Sequence, residues 1–385
     1  MSSSSISLTD SQKQAVHKVE KWYKTPANQV FVFAGYAGTG KTTCVHYLLD
    51  YLNINYQRVA FVSPTGKASL VLTENSGGKY QGTTIHKLIY KVDEYVGFIL
   101  KEKAELASYD LIICDEASMI SKEVLHDLLS FDVKVLFLGD RGQLDPVGDR
   151  NDILENPDVE LTEIHRQAKD NPIIYLSGRI RAGEKIKPGK YGENAVVFDK
   201  KQIDLKSEIF INLAARASQV LCGKNDTRNF LNQSIRRNLG IEDHLPVDGE
   251  KLICLRNNWN QSIDGTSLVN GMTGLAQNID YHVKKDKMIQ KVCLRMKFKP
   301  DFLDKAFENI LLLHSDFENK REILYREEVN LYDKFDFGYA ITTHKSQGSQ
   351  YENVLIYNEV LNYKNDAKWL YTAITRATNN VILIQ

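Results

Sequence analysis

Gly35-Tyr-Ala-Gly38-Thr-Gly40-Lys41-Thr42 lies between the β-branched and aromatic run VFVFAG at 30–35 and the helical pattern TCVHYLLDYL that begins at Thr43. This G-x-x-x-x-G-K-T, with a strand before it and a helix after it, constrains the fold more than any other feature. It demands the strand-loop-helix unit of a parallel α/β sheet. The glycines let backbone N–H groups curl around a phosphate chain at a helix N-terminus, where the helix dipole favours negative charge. In that chemistry Lys41 reaches the β- and γ-phosphates of ATP and the Thr42 hydroxyl ligates Mg²⁺. Gly35, Gly38, Thr39, Gly40 and Thr43 complete the phosphate cradle.

The rest of the first half continues the rhythm. VAFVS at 59–63, LIICDE at 111–116 and VKVLFLGD at 133–140 are short apolar runs, each followed by a stretch that can be helical, which is the pattern of buried parallel strands with crossover helices. A second series, SQVLCGKN at 218–225, ENVLIYNEV at 352–360 and NNVILIQ at 379–385, predicts a second α/β unit. At roughly 150 residues per domain, 385 residues accommodate two or three domains.

Two segments break the rhythm. Residues 88–108 alternate apolar and polar around a turn and predict an inserted β-hairpin. Residues 242–334 carry short strand-like pieces between turn signals, then a helical stretch over about 301–320, and predict a small β-rich insert in which Asn270-Gly271 makes a tight hairpin turn.

Composition excludes several classes. Lys+Arg and Asp+Glu both number 49, so a histone-like or basic-tailed chain is ruled out while a local basic groove is not. The five cysteines are too far apart for a CxxC metal site and odd in number, against a disulfide framework, which fits a reducing cytoplasm. MSSSSISLTD lacks the pattern of a signal peptide, and no apolar run approaches the ~18 residues of a membrane span. A soluble, unexported protein is expected.

Further chemistry sits at strand ends. Asp115-Glu116 ends LIICDE at the carboxyl end of a strand, where ligands bind in such sheets; Asp115 would hold Mg²⁺ and Glu116 would deprotonate or orient the attacking water. The next strand ends in Gly139-Asp140-Arg-Gly-Gln143-Leu-Asp-Pro146-Val147. P-loop, DEAS and GDxxQLxPV in this order resemble motifs I, II and III of superfamily 1 helicases, in which the Gln senses the γ-phosphate.

The resemblance runs along nearly the whole chain. Leu8-Thr9-x-x-Gln12 resembles the element whose Gln reads adenine, Ser63-Pro64-Thr65-Gly66-Lys67-Ala68 resembles motif Ia, and Thr84-Ile-His86-Lys87 resembles the next DNA-contact motif. Leu161-Thr-Glu-Ile-His-Arg166, Thr342-Thr343-His344-Lys345-Ser346-Gln347-Gly348 and Tyr371-Thr-Ala-Ile-Thr-Arg376 resemble motifs IV, V and VI. The variants SPTGKAS and HKSQG are most similar to the RecD and phage Dda branch, whose members move 5′ to 3′. Taken singly, many of these have plain structural readings: Gln12 as a helix-cap partner, Pro64-Thr65 as a strand exit, His86 and His344 as buried histidines, Arg166 and Arg376 as surface ion pairs.

The resemblance implies two RecA-like P-loop NTPase domains, at 1–165 and at 166–241 with 335–385, an inserted hairpin serving as strand-separating pin, and an inserted small β-barrel at 242–334. It implies ATP and Mg²⁺ as cofactors and an ATP-dependent DNA helicase, with Lys41, Glu116, Gln143, Arg166 and Arg376 carrying hydrolysis. Gly348 and Gln350 join the nucleotide site; Gln350 stands where the family often has Glu, so its ribose contact lacks a charge. Pro64, Thr65, His86, Asn225, Thr343, His344 and Ser346 are the implied DNA contacts. VxNGxxG at 268–274 resembles the barrel signature. Tyr95 and Phe98 are candidates for stacking on the first base pair, with a minor-core role as the alternative. The chain's clearest basic cluster lies at 281–300: Lys284, Lys285, Lys287, Lys291, Arg295, Lys297 and Lys299 against Asp286. It faces either DNA or solvent.

Expected partners are single-stranded DNA, forked or 5′-tailed duplexes and a single-strand-binding protein, with a monomeric chain, no membrane, and a role in phage or bacterial replication, repair or recombination. Two alternatives stay open: an RNA helicase of the same superfamily, and a non-catalytic single-strand-binding or loading factor. The intact Lys41, Asp115 and Glu116 argue against the second.

Overall fold

The structure, a computed structural model, describes residues 8–77, 79–93, 97–145, 151–163, 170–263, 266–285, 290–317, 331–359 and 366–385. Its first lobe is built on a six-stranded parallel sheet in the order Thr83–Thr84, Val59–Ser63, Leu111–Cys114, Lys134–Gly139, Val30–Gly35, Val159–Leu161. The strands are near-continuous apolar runs because both faces are covered. Phe31, Phe33, Ile113, Leu136 and Leu138 meet Val16, Val19 and Trp22 of the helix Asp10–Lys24 and Leu48 and Leu49 of the helix Lys41–Tyr51. Their neighbours Val32, Ile112, Cys114, Val135 and Phe137 point the other way, onto Ile85, Ile89 and Leu128.

Register decides where the chemistry emerges. Val30 to Ala34 lie opposite Val135 to Gly139, and Leu111 to Cys114 lie opposite Lys134 to Phe137. The P-loop, Asp115-Glu116 and Asp140 therefore leave the carboxyl ends of three adjacent strands.

The second lobe repeats the plan in the order Ala340–Thr342, Gln219–Cys222, Tyr351–Tyr357, Ala377–Ile384, Ala195–Phe198, Gly189–Tyr191; only the last strand is antiparallel. Leu144 of the first lobe is buried in this lobe's core beside Leu370 and Tyr371 of the helix Asp366–Ile374. The lobes thus share a packed seam.

Between the second lobe's strands lies a five-stranded antiparallel sheet in the order Phe307–Leu313, Gln290–Pro300, Thr273–Lys285, Lys251–Cys254, Phe335–Phe337, accompanied by the ribbon Asn258–Ile263 with Thr266–Leu268. Phe335–Phe337 still belongs to this sheet, and the parallel sheet resumes at Ala340.

Three local expectations are corrected. Where the sequence predicts a helical stretch over 301–320, the described part, to Phe317, holds the strand Phe307–Leu313 and the 3-10 turn His314–Asp316, while 318–320 lie outside the described residues. Phe307, Ile310 and Leu312 are pulled into the insert's core against Leu294, Met296 and Phe298, so tertiary burial overrides local helical preference. Asn270-Gly271 is not a hairpin: Met272 N donates to Val269 O and Gly271 has φ of +87°, a turn that hands the chain from the ribbon to the five-stranded sheet. The predicted hairpin at 88–108 narrows to Tyr90–Asp93 paired with Gly97–Leu100, because Ile85–Ile89 and Lys103–Leu106 are helical.

Candidate nucleotide site and nucleic-acid face

The P-loop closes through Thr39, whose N–H and hydroxyl both donate to Tyr36 O, at 3.3 and 2.8 Å. Gly38 and Gly40 have φ of +77° and +82°, the left-handed region in which glycine alone is unstrained. Gly40 caps the helix Lys41–Tyr51, so the helix's free amides face the loop. Lys41 folds back onto Gly35 O at 2.5 Å and Tyr36 O at 3.3 Å, the carbonyls a phosphate chain would displace it from.

Gln12 is buried, and its amide is doubly engaged. Its Oε1 accepts from Thr9 N at 2.9 Å, completing a capping box, and its Nε2 donates to Thr39 O at 3.0 Å. The helix-cap reading thus describes its state here, with an added grip on the P-loop.

A cavity of about 500 Å³ opens between the lobes, lined by Gly38, Gly40, Lys41, Thr42, Thr43, Asp115, Glu116 and Gln143 from the first and by Gly348, Gln350 and Arg376 from the second. Asp115 Oδ1 accepts from Glu116 N at 2.8 Å. Burial pushes the Asp115 carboxyl up, opposed by Lys41. Glu116 is pushed up to about 7, first by burial and then by Asp115, against the pull of Arg376. Its backbone is in the left-handed region, at φ of +53°, an unusual conformation for a non-glycine residue that aims the carboxylate into the cavity. Gln143 is buried with its Oε1 lacking any partner, a state that points to a ligand.

Arg376 arrives from the second lobe. Its guanidinium is held by Thr372 O at 3.1 Å and Ser349 O at 3.3 Å, and Nη1 stands 4.0 Å from Glu116 Oε1. The cation is thereby aimed at Glu116 across the cavity, not at solvent. Gly348, at φ of +70°, packs against motif Ia, where a Cβ would meet Ala68 Cβ at 2.8 Å. Arg166 lies outside the described residues, as does Tyr95.

The proposed DNA contacts are less uniform. Thr65 caps the helix Gly66–Asn75, accepting from Ala68 N, next to the partly exposed Pro64. Half-buried His86, its pKa lowered by burial, sits against the rings of Tyr90 and Phe98 at 5.4 and 5.8 Å, and Phe98 is 56% exposed. Asn225 is exposed at the start of the helix Asn225–Asn238, and His344 is half-buried. Thr343 and Ser346 depart from the expectation: both are fully buried, and Ser346 Oγ donates to Thr343 O, closing the 3-10 turn that carries His344. Ser346 Oγ is thus engaged inside the turn, whereas Thr343 Oγ1 is buried without a hydrogen-bond partner.

In the basic cluster, Lys284 lies opposite Lys291 in the antiparallel register, while the side chains of Lys284, Lys285 and Lys291 are outside the described residues. Arg295 is exposed and Lys297 pairs with Glu308 at 2.9 Å, on the face opposite Leu294, Met296 and Phe298.

Residues 7–199 match the family model described as an AAA domain, half of the chain. The chain belongs to that family. Residues 337–384 of this AAA-family chain also match a UvrD-like helicase C-terminal domain. It is similar to the ATP-dependent RecD2 DNA helicase of Deinococcus radiodurans, at 28% identity over 91% of this chain and 46% of that protein. It is also similar to the ATP-dependent DNA helicase dda of Enterobacteria phage T4, at 31% identity over 46% of this chain and 43% of that protein. The matched segments span less than half the length of either relative. In fold it resembles the crystal structure of Pif1 helicase from Candida albicans, with a TM-score of 0.55 at 17% identity, covering 98% of this chain and 94% of that one. The resemblance to the RecD and Dda branch is borne out, and Pif1 joins it as a structural neighbour.

Sequence reading missed the roles of Asp140, Tyr371, Thr372 and Lys67 in the seam. Tyr371 OH donates to Asp140 Oδ2, and Lys67 Nζ reaches Tyr351 OH of the second lobe at 3.2 Å and Thr273 Oγ1 of the insert at 3.4 Å. Lys368, Tyr371 and Thr372 show one signal, an i, i+3, i+4 spacing of polar side chains on one helix face.

Proposed function

We propose that the chain is an ATP-driven motor that moves 5′ to 3′ along single-stranded DNA and unwinds duplex DNA. The observation that carries this reading is Arg376 of one lobe standing 4.0 Å from Glu116 of the other across a P-loop cavity. An arginine that completes the site only when two lobes meet makes hydrolysis depend on cleft closure, and closure can be spent on movement along a bound strand.

In this reading the γ-phosphate draws Lys41 off Gly35 O. Glu116 takes one proton of the attacking water as the bond to the ADP oxygen breaks, Gln143 positions that water by accepting its other O–H on the free amide oxygen, and Arg376 with Arg166 stabilises the charge on the transferring phosphoryl group. Thr42 and Asp115 fit Mg²⁺: both line the cavity, both present oxygen, and Asp115 is a buried carboxylate whose charge a hard cation would offset. Bound there, Mg²⁺ would supply charge neutralisation on the β- and γ-phosphates. Gln12 takes the base edge only by releasing Thr39 O.

The strand is assigned a path over Pro64, Thr65, His86, Asn225 and His344, with Thr343 and Ser346 fixing the turn beneath His344. The hairpin at 90–100 is assigned the pin, with Phe98 as its exposed aromatic. The five-stranded sheet and its ribbon, from 242 to about 338, are assigned the small barrel, with lobes at 1–165 and at 166–241 with 339–385. Lys284, Lys285 and Lys291 would contact phosphates. A monomer acting in the cytoplasm with a single-strand-binding protein completes the proposal. The name of the Deinococcus relative and that of the phage relative support DNA as the track.

Duplexes with only a 5′ or only a 3′ single-stranded tail, incubated with ATP and Mg²⁺, test it. Displacement from the 5′-tailed substrate is expected; displacement from the 3′-tailed one alone overturns the polarity, and ATP turnover stimulated by RNA but not DNA overturns the track.

A further inference from the structure

Residues 140–145 of the first lobe form a short strip that four second-lobe side chains grip by hydrogen bonds. Tyr371 OH donates to Asp140 Oδ2 at 2.7 Å, while the same hydroxyl accepts from Ala37 N in the P-loop at 2.9 Å. Leu144 N donates to Thr372 Oγ1 at 2.9 Å, and Leu144 O accepts from Gln347 Nε2 at 2.8 Å. Lys368 adds an ion pair with Asp145 at 3.1 Å. Lys368, Tyr371 and Thr372 lie on one face of the helix Asp366–Ile374.

Tyr371 is 1% exposed, and its hydroxyl uses both of its capacities, one proton donated and one accepted. The ring fits because position 142 is glycine: a Cβ there would meet Tyr371 Cε1 at 2.9 Å. Gly142 N in turn donates to Asp140 Oδ1 at 2.8 Å, so each Asp140 oxygen has a partner. Burial and Asp140 push the Tyr371 pKa far up, so the hydroxyl remains a donor.

Two groups of the nucleotide site are fixed to this arrangement. Gln143, with its unpartnered Oε1, lies inside the gripped strip. Arg376 lies one turn beyond Thr372, with its Nε donating to Thr372 O. Whatever sets Tyr371 against Asp140 and Ala37 therefore sets Arg376 against Glu116.

We propose that Tyr371 is a positioning residue for ATP hydrolysis: its hydroxyl bridges the P-loop to Asp140 and so holds Arg376 and Gln143 in register on opposite walls of the cavity. This rests on the motor reading above. Tyr371 stands behind the cavity wall that Ala37, Gln143 and Arg376 line; it acts through those residues, and loss of its hydroxyl leaves the packing of the ring intact.

The test compares the full chain with Tyr371→Phe, Arg376→Ala and the double variant. DNA-stimulated ATP hydrolysis is measured against ATP concentration, and equilibrium binding of fluorescent ADP is measured with and without aluminium fluoride in Mg²⁺. Tyr371→Phe is expected to lower kcat about tenfold with KM changed less than about twofold, which is the signature of an interaction made in the transition state. It is expected to weaken ADP–aluminium fluoride binding by a similar factor while leaving ADP binding unchanged. In the Arg376→Ala background it should cost clearly less than tenfold, because part of its effect runs through Arg376. An unchanged kcat, a full tenfold loss added to that of Arg376→Ala, or equal weakening of ADP and ADP–aluminium fluoride overturns the proposal. Absence of DNA-stimulated turnover in the wild type would sink the motor reading itself, and the paired binding measurements would then still decide the role of Tyr371.

Discussion

The two sheets share the order of five parallel strands and differ in the sixth and in how they supply chemistry. In the first lobe Lys41, Asp115, Glu116 and Gln143 sit at or just beyond the carboxyl ends of three neighbouring strands, so strand register alone brings them together. In the second lobe Arg376 enters the same cavity from the far end of the helix Asp366–Ile374, held by Thr372 O and Ser349 O, and Gly348 enters from a turn packed on motif Ia. In the proposed function the first lobe builds the phosphate site, and the second completes it only through the seam. On that reading a ligand that closes the seam acts on all of these groups at once, and a small local event would become a movement of lobes.

The sharpest way to break this division is Arg376→Ala. If the second lobe supplies a transition-state contact, kcat for DNA-stimulated ATP hydrolysis falls by roughly 10³-fold, the lower end expected for an arginine finger, while equilibrium nucleotide binding persists. A parallel loss of binding would assign Arg376 to the ground-state cradle instead.

Next comes Glu116→Gln, which leaves the first lobe's shape but removes its proton acceptor; turnover should drop by roughly 10²-fold or more, measured by phosphate release. The same residue sets a pH dependence. Its carboxyl is raised to about 7 by burial, so in the free protein it is protonated below that value and competent as a base above it. The kcat/KM for ATP is expected to rise as pH increases from 6 to 8 in the wild type, and a flat profile would remove Glu116 from the role of base.

A smaller effect is expected at the join between the first lobe and the insert. A Cβ on Gly66 would lie 2.3 to 2.5 Å from atoms of Val269. Gly66→Ala should cost about 1 to 3 kcal/mol in denaturant unfolding, the usual range for overpacking, by forcing the insert off the motif Ia helix. No loss of stability would mean that the insert is not seated there.

The smallest effect concerns the second lobe's edge with the insert. Burial lowers the Lys251 pKa to about 8, against the opposing influence of Asp301. Between pH 8 and the unfolded value near 10.5 the unfolded chain binds more protons than the folded one, so this group makes stability rise with pH across that window. Lys251→Met should flatten the rise of the unfolding midpoint between pH 8 and 10; a wild-type midpoint with the same slope as the variant would contradict the burial.

Much of the fold was legible because its cause is local. VFVFAG, LIIC and KVLFLG are strands whichever way the chain is turned, since runs apolar on both faces suit a doubly covered sheet. The Phe307–Leu313 strand was not legible: FENILLL suits a helix as well as a strand, and pairing with Gln290–Pro300 decided it. Gln12 illustrates a mixed case, since both its cap role and its contact with the phosphate loop are present at once.

Sequence by itself determined the strand-loop-helix cradle, the acidic strand end and the presence of two α/β units, because glycine φ preferences, helix dipoles and apolar runs act over a few residues. Only tertiary structure decided that Arg376 meets Glu116, that Tyr371 bridges Ala37 and Asp140, and that Ser346 and Thr343 are buried. These contacts join residues more than 200 positions apart, or depend on which face of a turn is covered. Hydrogen-bond geometry across a packed seam is set by the register of whole elements, which no local pattern encodes.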